Sequence, residues 1–533
     1  MGVLRPRWAM GGLRPRWAMG VLRPRWAMGV LRPRSATLRT GVTTSAGAVL
    51  VVTSLLITAC GGDGDGVVSG TSSSSAPVST SNVYLDQRSQ GVTQLLDALS
   101  TALRSGTPDQ LAALLDPSIN PALRARLQTV QDNLSSAVRR PDTPGRGKRL
   151  QLKEFRYQLA PTEEVETLVG ADVQARLDQQ GSSDTWVAPV ELHVALGGVS
   201  TPGIDEDEVV IDTQLVAARY DDTWKLVGDS TLAGEPAPPT QMWDLPALAV
   251  ADVPTAGGTS VIASYPDGAD DSAATSGAPA PNSVAPNSVA SGSVAPGSTA
   301  PGPTAEMVAR IRSLLPGAIA AVSAFWGTRW PQRSVVVSTA ADDQFHALAA
   351  SATDTAAAAT IYAHLDLSAG SVTGQRVLLT PVARDLPAPA LGVVLRHELT
   401  HVATRAQTAT TAPMWLTEGV AEYVGRKGTY TRPADAAPDL AAAVQAGDTP
   451  ADLPTDQQFS VDAESSRMAY QSAWSVATFV AATFGEPRLR ALYVAVGASS
   501  DAMRADAALS ATLGITRAQF VARWRAWLTA ELR

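Results

Sequence analysis

The sequence predicts an α+β protein in two parts: helices followed by a long-stranded antiparallel sheet, then a mostly helical region with a small sheet at its start. Three observations lead there. Apolar residues recur at helical spacing after residue 90 and switch to strict alternation from Leu150. A stretch without apolar periodicity, "APAPNSVAPNSVASGSVAPGSTAPGPTA", divides the chain. Beyond it helical patterning returns around three short apolar runs.

The chain opens on four near-identical nonapeptides, MGVLRPRWA, MGGLRPRWA, MGVLRPRWA and MGVLRPRSA, filling residues 1–36. Nine residues is too short a period for a solenoid. Each copy begins with methionine, so the array reads as an upstream duplication with Met28 as the expected start. Next comes "AGAVLVVTSLLITACGG", apolar from Ala46 to Ile57. After an arginine-bearing start this is the layout of a signal peptide, too short for a spanning helix. Cys60, the sole cysteine, stands at the cleavage position, so the chain has no internal disulfide and no cysteine zinc site. The ending Ile57-Thr58-Ala59-Cys60 resembles the bacterial lipobox. That resemblance implies lipidation of Cys60, a membrane anchor and an extracytoplasmic location; the other reading is a coincidental cysteine. Residues 1–59 also hold nine arginines and no acid, and without them 33 basic residues face 50 acidic ones. So acidic a mature chain argues against nucleic acid and against electrostatic docking on anionic lipid.

Residues 1–60 are thus a repeat-bearing leader and signal peptide, and the Gly/Ser-rich 61–83 is a flexible tether. In "GVTQLLDALSTALRSG" a stripe of Val92, Leu95, Leu96, Leu99 and Leu103 predicts a helix that stops at Gly106. Two more helices are expected around 108–116 and 120–139. Strands are expected at "LQLKEFRYQLA", "TWVAPVELHVAL", "EVVIDTQLVAARY" and "TWKLVGD", with a hairpin turn at Tyr-Asp-Asp-Thr-Trp. His193 falls on the polar side of its strand and is expected to face solvent. These elements form an α+β unit over 84–232. Residues 233–265 read as a hairpin connection and 266–304 as a disordered Pro/Ser/Ala/Gly linker. After it, strands are expected at "SVVVST", "ATIYAHLDL" and "QRVLLTP".

Two of the five histidines stand four apart in "GVVLRHELTHVATRA". On a helix, His397 and His401 share a face and can bind one zinc ion. Glu398 is placed to reach a metal-bound water, as His-Glu-x-x-His chemistry requires. A third ligand is needed. Sixteen residues separate His401 from Glu418, which stands in "APMWLTEGVAEYVGRK", where a short helix folded back could bring it to the metal. Two histidines and a carboxylate leave zinc a fourth position for water.

His397-Glu-x-x-His401 with Trp415-Leu-x-Glu418-Gly-x-Ala421-x-Tyr423 resembles the gluzincin zinc metallopeptidases, particularly the aminopeptidase N branch and the peptidase MA-like proteins. The resemblance makes 305–533 a mostly helical metallopeptidase-like domain with a small N-terminal sheet. It implies Glu418 as third ligand of Zn2+ and a peptide or protein substrate. It also implies Glu398 as base for a zinc-activated water. Glu422 either orients a ligand imidazole or is a solvated helix carboxylate. The aminopeptidase branch meets the oxyanion with a tyrosine, which in "RMAYQSAWSVATFV" nominates Tyr470; packing at a helix start is the other reading. The branch's Gly-x-Met-Glu-Asn strand is absent, and the ligand spacing is two residues shorter. "GQRVLLTPVA" fills that strand's place, where it could pair with an extended peptide, and endo- and exopeptidase action both stay open. The 84–232 unit resembles the cone-shaped fold of nuclear transport factor and ketosteroid isomerase relatives, and the whole layout resembles actinobacterial lipoproteins. The leading expectation is a lipid-anchored zinc metallopeptidase. The alternative is a non-enzymatic surface binding lipoprotein with a silent or structural zinc site.

Overall fold

The computed structural model describes residues 83–138, 148–161, 167–197, 204–266, 302–350, 357–499 and 501–532. The repeats, Cys60, the tether up to residue 82 and nearly all of the 266–304 segment lie outside these residues, and Val83, expected to end the tether, instead opens the first helix.

Helix α1 (Val83–Ser105) buries Val92, Leu95, Leu96, Leu99 and Leu103, the stripe expected from spacing. Helix α2 (Pro108–Leu114) starts on a capping box in which Thr107 and Gln110 satisfy each other's backbone N–H groups. Helix α3 (Pro121–Leu134) is capped by the Asn120 side chain, with Pro121 in the first turn. Strand β1 (Leu152–Leu159) follows, then helix α4 (Ala171–Gln179) and strands β2 (Asp184–Leu196), β3 (Val209–Tyr220) and β4 (Thr223–Asp229). The strands pair antiparallel in the order β1-β2-β3-β4. The β3–β4 turn needs a left-handed residue, supplied by Asp221 at φ 52°. One face of the sheet, with Phe155, Val190, Leu192, Val194 and Leu226, packs on the leucines of α1 and α3. The other receives Val173 and Leu177 of α4, an unexpected helix carrying only two buried apolar residues.

His193 corrects an expectation. Its parity does place it on the outer face, but it is buried, held between Glu191 (Nε2 to Oε2, 3.0 Å) and Glu208 on Nδ1. The strand is interior, and neighbouring side chains close over the ring.

The hairpin of β5 (Ala249–Thr255) and β6 (Gly258–Ser264) joins strands from beyond the divide. After α5 (Pro303–Trp326) come β7 (Val335–Ser338), α6 (Asp342–Ala349), β8 (Ala358–Ile361), β9 (His364–Asp366), β10 (Ser371–Thr373) and β11 (Arg376–Leu379). A five-stranded sheet runs β5-β6-β7-β11-β8, and β9 pairs with β10 apart from it. Strand β7 lies parallel to both β6 and β11, and β8 antiparallel to β11. Strand β11 is therefore interior. "QRVLLTP" has both edges taken and cannot receive a peptide; the edge strands of this sheet are β5 and β8, and β8 is the one beside β11.

Both faces of the five-stranded sheet are covered, which is why "SVVVS" and "RVLL" read as continuous apolar runs. Val336, Val377 and Leu379 join the core beneath α5, whereas Val335, Val337 and Leu378 join the core of α1, α3 and β1–β3. The Arg376 guanidinium grips both carboxylate oxygens of Glu206 at 2.6 and 2.8 Å, tying β11 to the segment before β3. Helix α5 is long and apolar enough to cross a membrane by length and composition. Here it instead buries Met307, Ile311, Leu315, Ile319, Val322 and Phe325 in the core.

The rest is helical: α7 (Ala388–Thr404), α8 (Met414–Arg426), α9 (Pro433–Ala436), α10 (Pro438–Gln445), α11 (Ala463–Phe484), α12 (Glu486–Gly497), α13 (Ala502–Leu513) and α14 (Arg517–Leu532). Phe479, Phe520, Trp524 and Leu528 fill the space between α11 and α14, and the Trp524 indole N–H donates to Ser475 Oγ at 3.1 Å.

Candidate metal centre

Helix α7 is central. From Leu391 to Thr404 every residue except Arg396 is buried, between α5, α8 and the sheet. A helix enclosed this way is apolar all round, so its polar residues stand out by chemistry rather than by stripe. His397 and His401, one turn apart, bring their Nε2 atoms to 3.1 Å. Pro413 precedes α8 and stops any continuation from the connection.

Two glycines let α8 approach its neighbours closely. A Cβ on Gly419 would lie 2.5 Å from the Ala473 carbonyl oxygen of α11. One on Gly425 would lie 3.1 Å from the Val393 oxygen of α7 and 3.4 Å from His397 Cβ. Wedged between α7 and α11, α8 turns Glu418 towards the histidines. Glu418 Oε2 lies 3.4 Å from His397 Nε2 and 3.5 Å from His401 Nε2.

These three atoms form a near-equilateral triangle, and its size is informative. Charge-assisted hydrogen bonds between nitrogen and carboxylate oxygen run to about 2.7–2.9 Å, so the two edges to Glu418 are longer than such bonds. Ligands about 2.0–2.1 Å from one zinc at tetrahedral angles lie about 3.3–3.4 Å apart. The observed edges of 3.1, 3.4 and 3.5 Å straddle that value. Glu418 Oε2 is buried without a hydrogen-bond partner, an orphan that a cation would satisfy. The donor set therefore fits a zinc ion held by His397, His401 and Glu418.

The surroundings are charged as well as buried. Glu422 is fully buried, not solvated, with Oε1 3.5 Å from His397 Nδ1 and Oε2 taking the Arg426 guanidinium. A proton on Nδ1 would leave the Nε2 lone pair facing the other two donors. Burial alone would hold the His397 imidazole down, but the Glu418 and Glu422 carboxylates outweigh it and push it up to about 10. Burial likewise opposes ionisation of Glu418, yet His401 and His397 bring it to about 2. Glu422 is held below the usual carboxylate range because Arg426 and His397 overcome its burial. Glu398 goes the other way: burial pushes its carboxyl up, against the two histidines and Thr360. Glu398, Glu418 and Glu422 are three buried carboxylates acting on His397, with the Arg426 guanidinium against Glu422, and a dication at the histidines would offset negative charge gathered there.

The remaining nominated residue, Tyr470, lies on α11, buried, its ring centroid 6.5 Å from that of His397. Phe459 packs edge-on against it at 5.0 Å. Three contributors went unnoticed in the sequence. Arg426 stands at i+4 from Glu422, a spacing that could have nominated it. Thr360, on β8, donates to Glu398 Oε2 at 2.7 Å, and its one cue is a lone hydroxyl in an apolar strand. Phe459 carried no cue at all.

Residues 388–530 match the Peptidase MA superfamily. That segment runs from α7 into α14 and contains all the candidate ligands, and the match supports a peptidase. A search of curated proteins finds no match. Among solved structures, similarity is found to an M1 zinc metallopeptidase from Deinococcus radiodurans, at 13% identity, 73% of each chain and a TM-score of 0.27. A mutant of that enzyme gives 12% identity over 73% of this chain and 74% of the other, also with a TM-score of 0.27. Likeness so slight carries no argument of its own.

Proposed function

We propose that this protein is a zinc-dependent peptidase whose metal is held by His397, His401 and Glu418. The observation that carries the proposal is the triangle of three buried donor atoms at tetrahedral edge lengths, inside the segment that matches a peptidase superfamily. Zinc in that position would supply Lewis acidity, polarising a peptide carbonyl and acidifying water. Glu398 accepts the proton of the attacking water and returns it to the departing amine. Burial pushes its carboxyl up, so it holds a proton more firmly than an ordinary carboxylate, which suits a group that both takes and gives one. Glu422 and Arg426 hold His397 in the tautomer that presents Nε2. The Tyr470 hydroxyl is the donor for the oxyanion. An extended substrate would lie along the edge of β8 that pairs with no strand among the described residues, β8 being the strand that carries Thr360 against Glu398.

The location belongs to the same proposal. Cys60, after its apolar run and Ala59, becomes the lipidated N-terminus, and the 61–83 tether holds the enzyme off the outer face of the cell membrane. Cys60→Ser should release the protein or leave its precursor uncleaved; processing and retention like wild type would remove the anchor from the account.

The test of activity is cleavage of a broad peptide library by purified wild type and Glu398→Gln, with zinc measured in both. The expected result is equal zinc and a rate about 10²–10⁴-fold lower in the variant. Equal activity at full zinc would leave the site silent and favour the binding-lipoprotein alternative.

A further inference from the structure

Thr360 is the one polar side chain in the run Ala357–Ile361 and is buried with Glu398. Its Oγ1 lies 2.7 Å from Glu398 Oε2 and 3.2 Å from the Glu398 carbonyl oxygen. The hydroxyl has one proton to give. The carboxylate is the nearer and stronger acceptor, and the carbonyl already serves the hydrogen-bond ladder of α7. The contact crosses from an edge strand of the sheet to the helix bearing two of the metal ligands. A buried carboxylate on a flexible side chain otherwise has several rotamers, and this bond selects one.

We propose that Thr360 is a positioning residue for Glu398: its hydroxyl pins Oε2 to β8, so that Oε1 faces the reacting water. The proposal rests on the reading of Glu398 as the catalytic base. It also makes β8 more than a substrate-facing edge, because the strand sets the aim of the base. Thr360→Val keeps the shape and removes the donor; Thr360→Ser keeps the donor and removes a methyl.

The test is kinetic and crystallographic, on zinc-loaded full-length protein. Thr360→Val should keep wild-type zinc and KM while kcat falls roughly 10- to 100-fold, the scale of a base displaced by about 1 Å. Thr360→Ser should recover most of kcat, which a purely structural role for the methyl would not allow. In crystals, the Glu398 carboxylate should leave its β8-facing position in Thr360→Val and return to it in Thr360→Ser, with His397, His401 and Glu418 unmoved. Wild-type kcat in Thr360→Val would overturn the proposal, as would an unmoved Glu398. Should the wild type cleave no peptide, the peptidase reading fails, and the position of Glu398 in the two variants still decides whether Thr360 pins it.

Discussion

Gly419→Ala separates the metal centre from the fold that carries it. The added Cβ would sit 2.5 Å from the Ala473 carbonyl oxygen, where ordinary van der Waals contact begins at 3.4 Å. Its neighbour is backbone, so α8 and α11 must part by about 0.9 Å at that point. Overpacking of this kind costs about 1–3 kcal/mol, and alanine's helix propensity over glycine returns about 1 kcal/mol. The net loss of stability is therefore small, about 0–2 kcal/mol. The effect on the site is not small, because Glu418 is the adjacent residue. Metal sites tolerate ligand shifts of about 0.2 Å, so zinc affinity should fall more than about 100-fold. Gly392→Ala on α7 is the control, since its Cβ meets only the Arg396 side chain at 3.4 Å and Leu314 at 3.9 Å. The assay is zinc competition against a chromophoric chelator, with thermal melting of the metal-free proteins. A Gly419→Ala protein that binds zinc within about threefold of wild type would refute the close-approach argument.

Three further outcomes are expected. Glu422→Gln should weaken zinc binding by about 10–100-fold, measured by the same competition, because His397 loses the carboxylate facing its Nδ1. Tyr470→Phe should keep zinc and lower kcat more than it raises KM, read from steady-state kinetics. The metal-free protein should melt highest in weak acid. His397, raised from 6.5 to about 10, contributes stability present in full below about pH 6.5 and lost as pH rises towards 10. Glu418, lowered from 4.5 to about 2, contributes stability present in full above about pH 4.5 and lost as pH falls towards 2. Melting temperature against pH should thus fall on both sides of roughly 4.5–6.5, and His397→Ala should lose the alkaline fall.

Local periodicity carried much of the fold. The α1 stripe and the alternation of β2 and β3 were legible because alternate or helically spaced residues of each segment enter one apolar core, even though α4 covers part of the sheet's other face. Helix α4 escaped because Val173 and Leu177 alone are too few to mark a period. The pairing of β6 with β7 escaped for a different reason. About 70 residues separate them, and nothing local encodes which distant strand will complete a sheet. The same fact misplaced the edge: β11 has the composition of any buried strand, and only its neighbours show that β8 lies outside it. In the candidate site, His397, Glu398, His401 and Glu418 could be named from residue type and spacing, because zinc chemistry restricts both. Thr360 and Arg426 could not be assigned roles the same way, since a hydroxyl or a guanidinium acquires its meaning from what it touches.

The most direct test of the central claim is anomalous X-ray scattering at the zinc edge from crystals of protein purified without chelators. The account predicts one strong peak about 2.0–2.2 Å from His397 Nε2, His401 Nε2 and Glu418 Oε2, lost in His401→Ala. Crystals soaked in zinc that show no peak at those three atoms would contradict it.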